Sequence, residues 1–233
     1  PGGPATEEFQ RTMAEVATPI CRSAAEAADR VAERRRALLD LAEARGLTLA
    51  AAGIHPVGPF PRAQVSDDAN YRRIAAQGGT PAKEMHVFGL HIHVAVPDRE
   101  AATRAMTGAT PFIPHLLCLT ASSPFDRGED TAFCSFRTLV RDMSPRVGPP
   151  LPVATAPAYD RIVEILSGER RRAKLPTSPI SWDIRPSENY PTLEFRFTDV
   201  CPWLDTTRLV TALARALTVM YADRPAPQVS AVE

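Results

Sequence analysis

Two histidines one residue apart, His91 and His93, lie inside the apolar run VFGLHIHVAV, and Glu194 and Arg196 repeat that spacing inside TLEFRFTD. Side chains alternate across an extended chain, so residues two apart share a face. One face of the first run carries Phe88, Leu90, Ile92, Val94 and Val96, and the other Gly89, His91, His93 and Ala95. In the second, Leu193, Phe195 and Phe197 oppose Thr192, Glu194, Arg196 and Thr198. SWDIR splits the same way, with Trp182 and Ile184 against Ser181, Asp183 and Arg185. A fourth strand near Met13 to Ala17 would put Glu15 on the face of those two residues.

Imidazoles, carboxylates and guanidiniums gathered on one sheet face can bind a divalent cation and phosphate oxygens. Hard cations take carboxylate oxygen, and the arginine fork matches phosphate geometry. A polar face on an antiparallel sheet is ordinarily only solvated, and one His-x-His pair is ordinarily incidental. The coincidence of such residues on several strands, each set in apolar sequence, is what favours chemistry.

Periodicity indicates the elements that hold these groups. A helix is predicted from Ser23 to Gly46, with a short strand over Leu47 to Ile54 and a proline-broken loop at HPVGPFPR. A short helix over Asp68 to Ala76 precedes the densest strand signal, Glu84 to Val96, and helices follow over Asp98 to Met106 and Phe112 to Leu119. SSPFDRGED reads as a loop, Thr131 to Met143 as a helical stretch, and SPRVGPPLPVATAP as a connection too rich in proline for a helix or a central strand. Tyr159 to Ser167 is helical, Ser181 to Arg185 and Thr192 to Asp199 form a hairpin pair, and Thr206 to Tyr221 is the last helix, followed by a frayed tail after Asp223. The apolar strand faces need covering, so the fold class is α+β: a mainly antiparallel sheet with helices on one face and chemistry on the other.

A chain of 233 residues is expected to form one domain, residues 1–233. Its 27 basic and 27 acidic residues cancel, which gives no long-range field for nucleic acid or an anionic membrane. No apolar stretch approaches a membrane span, and the reading is a soluble, cytoplasmic protein. Cys21, Cys118, Cys134 and Cys201 have no CxxC pairing and are expected to be reduced core thiols. His55, His86 and His115 are assigned structural or surface roles, and the run RRAK a solvated helix end or loop.

The segments AEVATPICRSAAEA, FGLHIHVAVPDRE, LTASSPFDRGEDTAFCSFRT and SWDIRPSENYPTLEFRFTD resemble signature segments of the bacterial carboxylate-amine ligases, which include the type 2 glutamate-cysteine ligases and belong to the glutamine synthetase-like superfamily. The similarity runs from about Glu8 to Tyr221. It implies a curved antiparallel sheet whose concave polar face forms a funnel where ATP and substrates meet. It also implies a reaction in which a carboxylate, typically that of a glutamate side chain, is phosphorylated and an amine such as cysteine displaces the phosphate. ATP and Mg2+ are the implied cofactors, with a small carboxylate and an amine as partners; self-association is common in the superfamily. By the same resemblance Glu194 and Glu15 are metal ligands, Arg196 a phosphate or substrate contact, and His91 and His93 neighbours of the nucleotide phosphates or metal. Ser123, Ser135 and Arg137 match the loop around the site, and Asp183 with Arg185 the W-D-x-R element. Isosteric Glu194→Gln is then expected to stop turnover with the fold intact.

The family's opening G-V-E-x-E strand has no counterpart before Glu8, nor its C-terminal segment after the last helix, so the sequence reads as a catalytic domain lacking both. Ala95 stands where glycine is usual and Ser122 where asparagine is usual, which points to an acid and amine other than glutamate and cysteine. Two alternatives stay open: a non-catalytic member that binds nucleotide, and a hydrolase in which the His-x-His pair binds zinc.

Overall fold

The computed structural model describes residues 5–58, 64–69, 71–76, 86–143, 146–172 and 180–224, with side chains beyond Leu166 in the helix ending at Arg172 left aside. In chain order the elements are β1 (Thr6–Glu7), β2 (Ala14–Glu15), α1 (Ala24–Glu43), β3 (Ile92–Ala95), α2 (Arg99–Ala109), α3 (Ile113–Thr120), β4 (Phe125–Asp126), β5 (Glu129–Asp130), α4 (Phe136–Asp142), β6 (Val147–Gly148), α5 (Ala156–Arg172), β7 (Ser181–Trp182), β8 (Ile184–Pro186), β9 (Thr192–Phe195) and α6 (Leu204–Ala222). Pro59 and Pro61 of the expected loop, Asn70 in the short helix, Glu84 at the start of the expected strand, the RRAK side chains and most of the tail lie outside the described residues. Mixed helix and strand with mostly antiparallel pairing meets the α+β expectation. No helix of the described residues is long and apolar enough to cross a membrane.

The chain divides into two compact units. The first comprises Pro1–Phe88, Ala121–Arg137 and Val200–Leu209. Here β1 and β2 pair antiparallel, Thr6 opposite Glu15, as a ladder of their own rather than a fourth strand beside β3, β8 and β9. Helix α1 starts where the sequence says it must: Ser23 Oγ accepts from Glu26 N at 3.1 Å, and the Glu26 carboxylate accepts from Arg22 N at 2.7 Å. The two bonds satisfy amides that no helical carbonyl can reach. Gly46, at φ +67°, ends the last turn in the left-handed region. Leu47 to Ile54 is not a strand: only Ile54 bridges a partner, Val87, and Leu47 and Leu49 are exposed. Between Leu49 and Ile54 it offers only Ala50, Ala51, Ala52 and Gly53, so neither face has much area to bury.

SSPFDRGED holds a hairpin, β4 against β5, where a loop was expected. Arg127 at φ +53° and Gly128 at φ +82° occupy its two turn positions, the backbone that two-residue hairpins require. The predicted helix at Thr131 to Met143 is confined to α4, because Ala132 at φ +60° breaks any earlier start. All four cysteines are free, but only Cys201 is buried, and Cys118 and Cys134 are on the surface, so the expectation of core thiols fails for them.

The second unit comprises Gly89–Thr120, Thr138–Asp199 and Val210–Glu233. Its sheet has the order β3-β9-β8, antiparallel throughout. Ile92, Phe195 and Ile184 fall in one row and are all buried. Against that face lies α2, capped by Asp98, whose carboxylate accepts from Ala101 N at 2.7 Å. Its buried side is built of Ala101, Ala102, Ala105 and Ala109, small enough to bring the helix close to the strands, with the larger Met106 buried beside them. Glu100, on the same helix, accepts from Ala156 N at 2.7 Å and closes the first turn of α5.

Ser181 to Arg185 was expected as one strand and is broken at Asp183. Its first half, β7, runs parallel to β6, and its second half, β8, joins β9. The break lets Asp183 donate its N–H to Gly148 O at 2.9 Å while its carbonyl accepts from Arg196 N at 2.7 Å. The proline-rich connection thus supplies a strand, but only a two-residue one.

A Cβ added at Gly108 would stand 2.3 Å from Tyr221 Cγ and 2.8 Å from its Cβ. Gly108→Ala is therefore expected to destabilise by about 1–3 kcal/mol despite roughly 1 kcal/mol of better helix propensity. Urea denaturation checks this; an unchanged midpoint would mean that Tyr221 swings clear.

Candidate active site

The sheet that buries Phe195 must turn its alternate residues the other way. His93 faces Glu194 across β3 and β9, and Arg185 faces Glu194 across β8 and β9, so three ionisable side chains stand in one row. His91 and Arg196 continue the same face, each two residues on from a member of the row. Burial follows the predicted alternation: His91 and His93 are exposed where Ile92 and Val96 are buried.

Glu194 is the centre. Its side chain is 5% exposed, and both oxygens are engaged. Arg185 Nε donates to Oε2 at 2.8 Å, and Arg196 Nη1 donates to Oε1. Two imidazole nitrogens approach Oε1 as well, His93 Nε2 at 3.6 Å and His91 Nδ1 at 3.9 Å. Burial would push this carboxyl up, but the guanidiniums of Arg196 and Arg185 outweigh it and hold the group at about 2. Burial, and then the neighbouring Arg185, draw Arg196 below the ordinary guanidinium range against the pull of Glu194. His93 shares a hydrogen bond with Thr192 Oγ1 through Nδ1 at 2.9 Å, and the ring of Tyr190 meets it edge to face at 5.9 Å. Burial draws the His93 imidazole below its ordinary range against the attraction of Glu194.

The arrangement offers two adjacent cations whose forks can leave one carboxylate for phosphate oxygens. It also offers one carboxylate oxygen flanked by imidazoles that are over a third exposed. Among the described residues no group of three or more His, Cys, Asp or Glu side chains could hold a metal ion. Magnesium takes oxygen ligands, commonly only one or two protein carboxylates, and completes its shell with water and substrate phosphate, so Glu194 is the one side chain of the row that fits it, once a guanidinium fork leaves one of its oxygens.

Asp183, on the expected polar side, is buried and bound by Arg141, whose Nη2 donates to Oδ1 at 2.8 Å. Arg141 was not singled out by sequence reasoning. Its faint signal is its place four residues after Arg137, one helical repeat on. Glu15, Ser123, Ser135 and Arg137 belong to the first unit. There Glu15 is exposed on β2. Ser123 is buried, pairs with Ser135 in a parallel bridge, and its Oγ accepts from Arg137 N at 3.2 Å. Ser123 is thus a cap for the helix that carries buried Arg137.

The model of glutamate-cysteine ligase family 2 matches residues 2–232. A Rhodospirillum rubrum protein bearing the provisional name glutamate–cysteine ligase 2 is 37% identical over 227 residues, 97% of this chain and 58% of its own length. Proteins of the same provisional name from Paracoccus denitrificans and Salinispora arenicola are 37% and 36% identical over 90% and 92% of this chain, and 55% and 56% of theirs. The chain therefore spans rather more than half the length of these curated relatives. With its polar row on the segments that first suggested the resemblance, the chain belongs to glutamate-cysteine ligase family 2.

Proposed function

We propose that this protein is an ATP-dependent carboxylate-amine ligase of the cytoplasm that joins glutamate, or an analogue of it, to an amine such as cysteine. The observation that supports the reading is the row His93, Glu194 and Arg185, extended by His91 and Arg196, on the face opposite the helix-covered one. A curved sheet and a funnel are part of the same proposal.

In this reading a side-chain carboxylate oxygen of the acid attacks the terminal phosphorus of ATP and ADP leaves. The amine nitrogen then attacks the acyl carbon, phosphate departs and the nitrogen loses a proton. Arg185 and Arg196 hold phosphoryl oxygens as charge shifts among them. By family motif Glu194 would hold magnesium and Glu15 is likewise a metal carboxylate, while His91 would lie near the nucleotide phosphates. Bound there, the ion supplies charge neutralisation at the phosphates. His93, held by Thr192, lines the nucleotide side. By family motif Ser123 and Ser135 are cofactor-binding residues and Arg137 a catalytic one.

The test is ADP release that needs magnesium, a carboxylate and an amine together. Tight nucleotide binding without release would instead favour the non-catalytic reading, and stoichiometric zinc with hydrolysis the metal-hydrolase reading. His91→Ala is expected to raise the KM for ATP about tenfold, and His115→Ala to leave it nearly unchanged. Initial rates against ATP concentration check the order of the two, and the reverse order would sink the role given to His91.

A further inference from the structure

Arg141 lies behind the polar row, its side chain 10% exposed, with its guanidinium on three points of two strands. Nη2 donates to Asp183 Oδ1 at 2.8 Å and approaches Ser181 O at 3.4 Å, while Nη1 approaches Arg196 O at 3.4 Å. These points sit where the regular ladder stops, since β9 ends at Phe195 and the other chain breaks at Asp183. Beyond that place the main chains are joined by Arg196 N donating to Asp183 O at 2.7 Å. The chain on one side of the seam carries Arg196 and that on the other leads into Arg185, the two cations that share Glu194. A lysine cannot reproduce three directed contacts, because a guanidinium is a rigid fork and an ammonium a single point.

We infer that Arg141 is a positioning residue for this site: through Asp183 and the Arg196 carbonyl it fixes the backbone from which Arg185 and Arg196 project onto Glu194. Only the kinetic part of the test rests on the ligase reading.

The test compares the unaltered protein with Arg141→Lys and with the shape-conserving Asp183→Asn. The first readout is solvent exchange of the Arg185 Nε–H, which donates to Glu194 at 2.8 Å and is followed by nitrogen-labelled NMR with Arg185→Lys for assignment. Exchange is expected to accelerate at least about tenfold in both variants at temperatures where each is still folded by circular dichroism. In the same samples kcat for ADP release is expected to fall about 10- to 100-fold while the KM for ATP moves by less than about threefold, the pattern of misplaced rather than missing contacts. Unchanged exchange in both variants overturns the inference, as does unchanged kcat beside an altered fold stability. If the unaltered protein releases no ADP, the ligase reading fails, and the exchange rates alone decide the positioning role.

Discussion

Glu194→Gln is expected to lower folding stability by about 3–5 kcal/mol, because it leaves two partly buried guanidiniums without their counter-charge. The sequence suggested that so close an isostere would spare the fold. The structure changes that expectation, since Arg185 and Arg196 are 15% and 22% exposed and both turn to this one carboxylate. An amide can still accept from one of them, but it carries no charge to offset their desolvation. ADP release is expected to fall to background as well. Urea denaturation separates the two effects: a stability within about 1 kcal/mol of the unaltered protein would show that water already screens the arginines.

Acid is expected to remove the same contribution without any mutation. The folded Glu194 carboxyl sits at about 2 against an ordinary value of 4.5. A depressed folded value means that the unfolded chain binds a proton first, so the stabilisation is complete above about pH 4.5 and is lost as pH falls towards 2. That gap corresponds to about 3 kcal/mol. The measurement is the stability difference between the unaltered protein and Glu194→Gln at pH 7, 4.5 and 3, which is expected to shrink over the last interval. A difference that stays constant to pH 3 would sink the argument.

Much of the site was legible because a period of two is hard to miss when apolar residues are so cleanly sorted, as around His93 and around Glu194. Sorting says which residues share a face, but not which residue stands opposite which. The match of His93 with Glu194 and Arg185 came only from the strand register. The helix starts at Ser23 and Asp98 were equally readable, and the structure shows each of these residues accepting from an amide three residues on. The break at Asp183 was hidden: alternation continues through SWDIR, and the change of partner depends on Val147 and Gly148, far off in the chain. Leu47 to Ile54 misled for the opposite reason, since a run that is apolar mainly through alanine and glycine has little side-chain area to hold it in a sheet. Arg141 escaped notice because an arginine in a helix is usually solvated, and only the tertiary fold brings it to Asp183.

The centre of the row is made within one short hairpin. Arg185 and Glu194 are nine residues apart, whereas the bond joining His93 to Thr192 spans 99. The entropy of closing a loop grows with its length, so the near pair can meet at little expense and the distant imidazoles must wait for β3 to dock. Assembly of the arginine–glutamate cluster is then an early event in folding, and delivery of the histidines a late one. Mutational probes of the folding transition state at Arg185 are expected to report substantial structure, and those at Ile92 little. A refolding chain would thus carry its arginine–glutamate clamp before the imidazoles reach it.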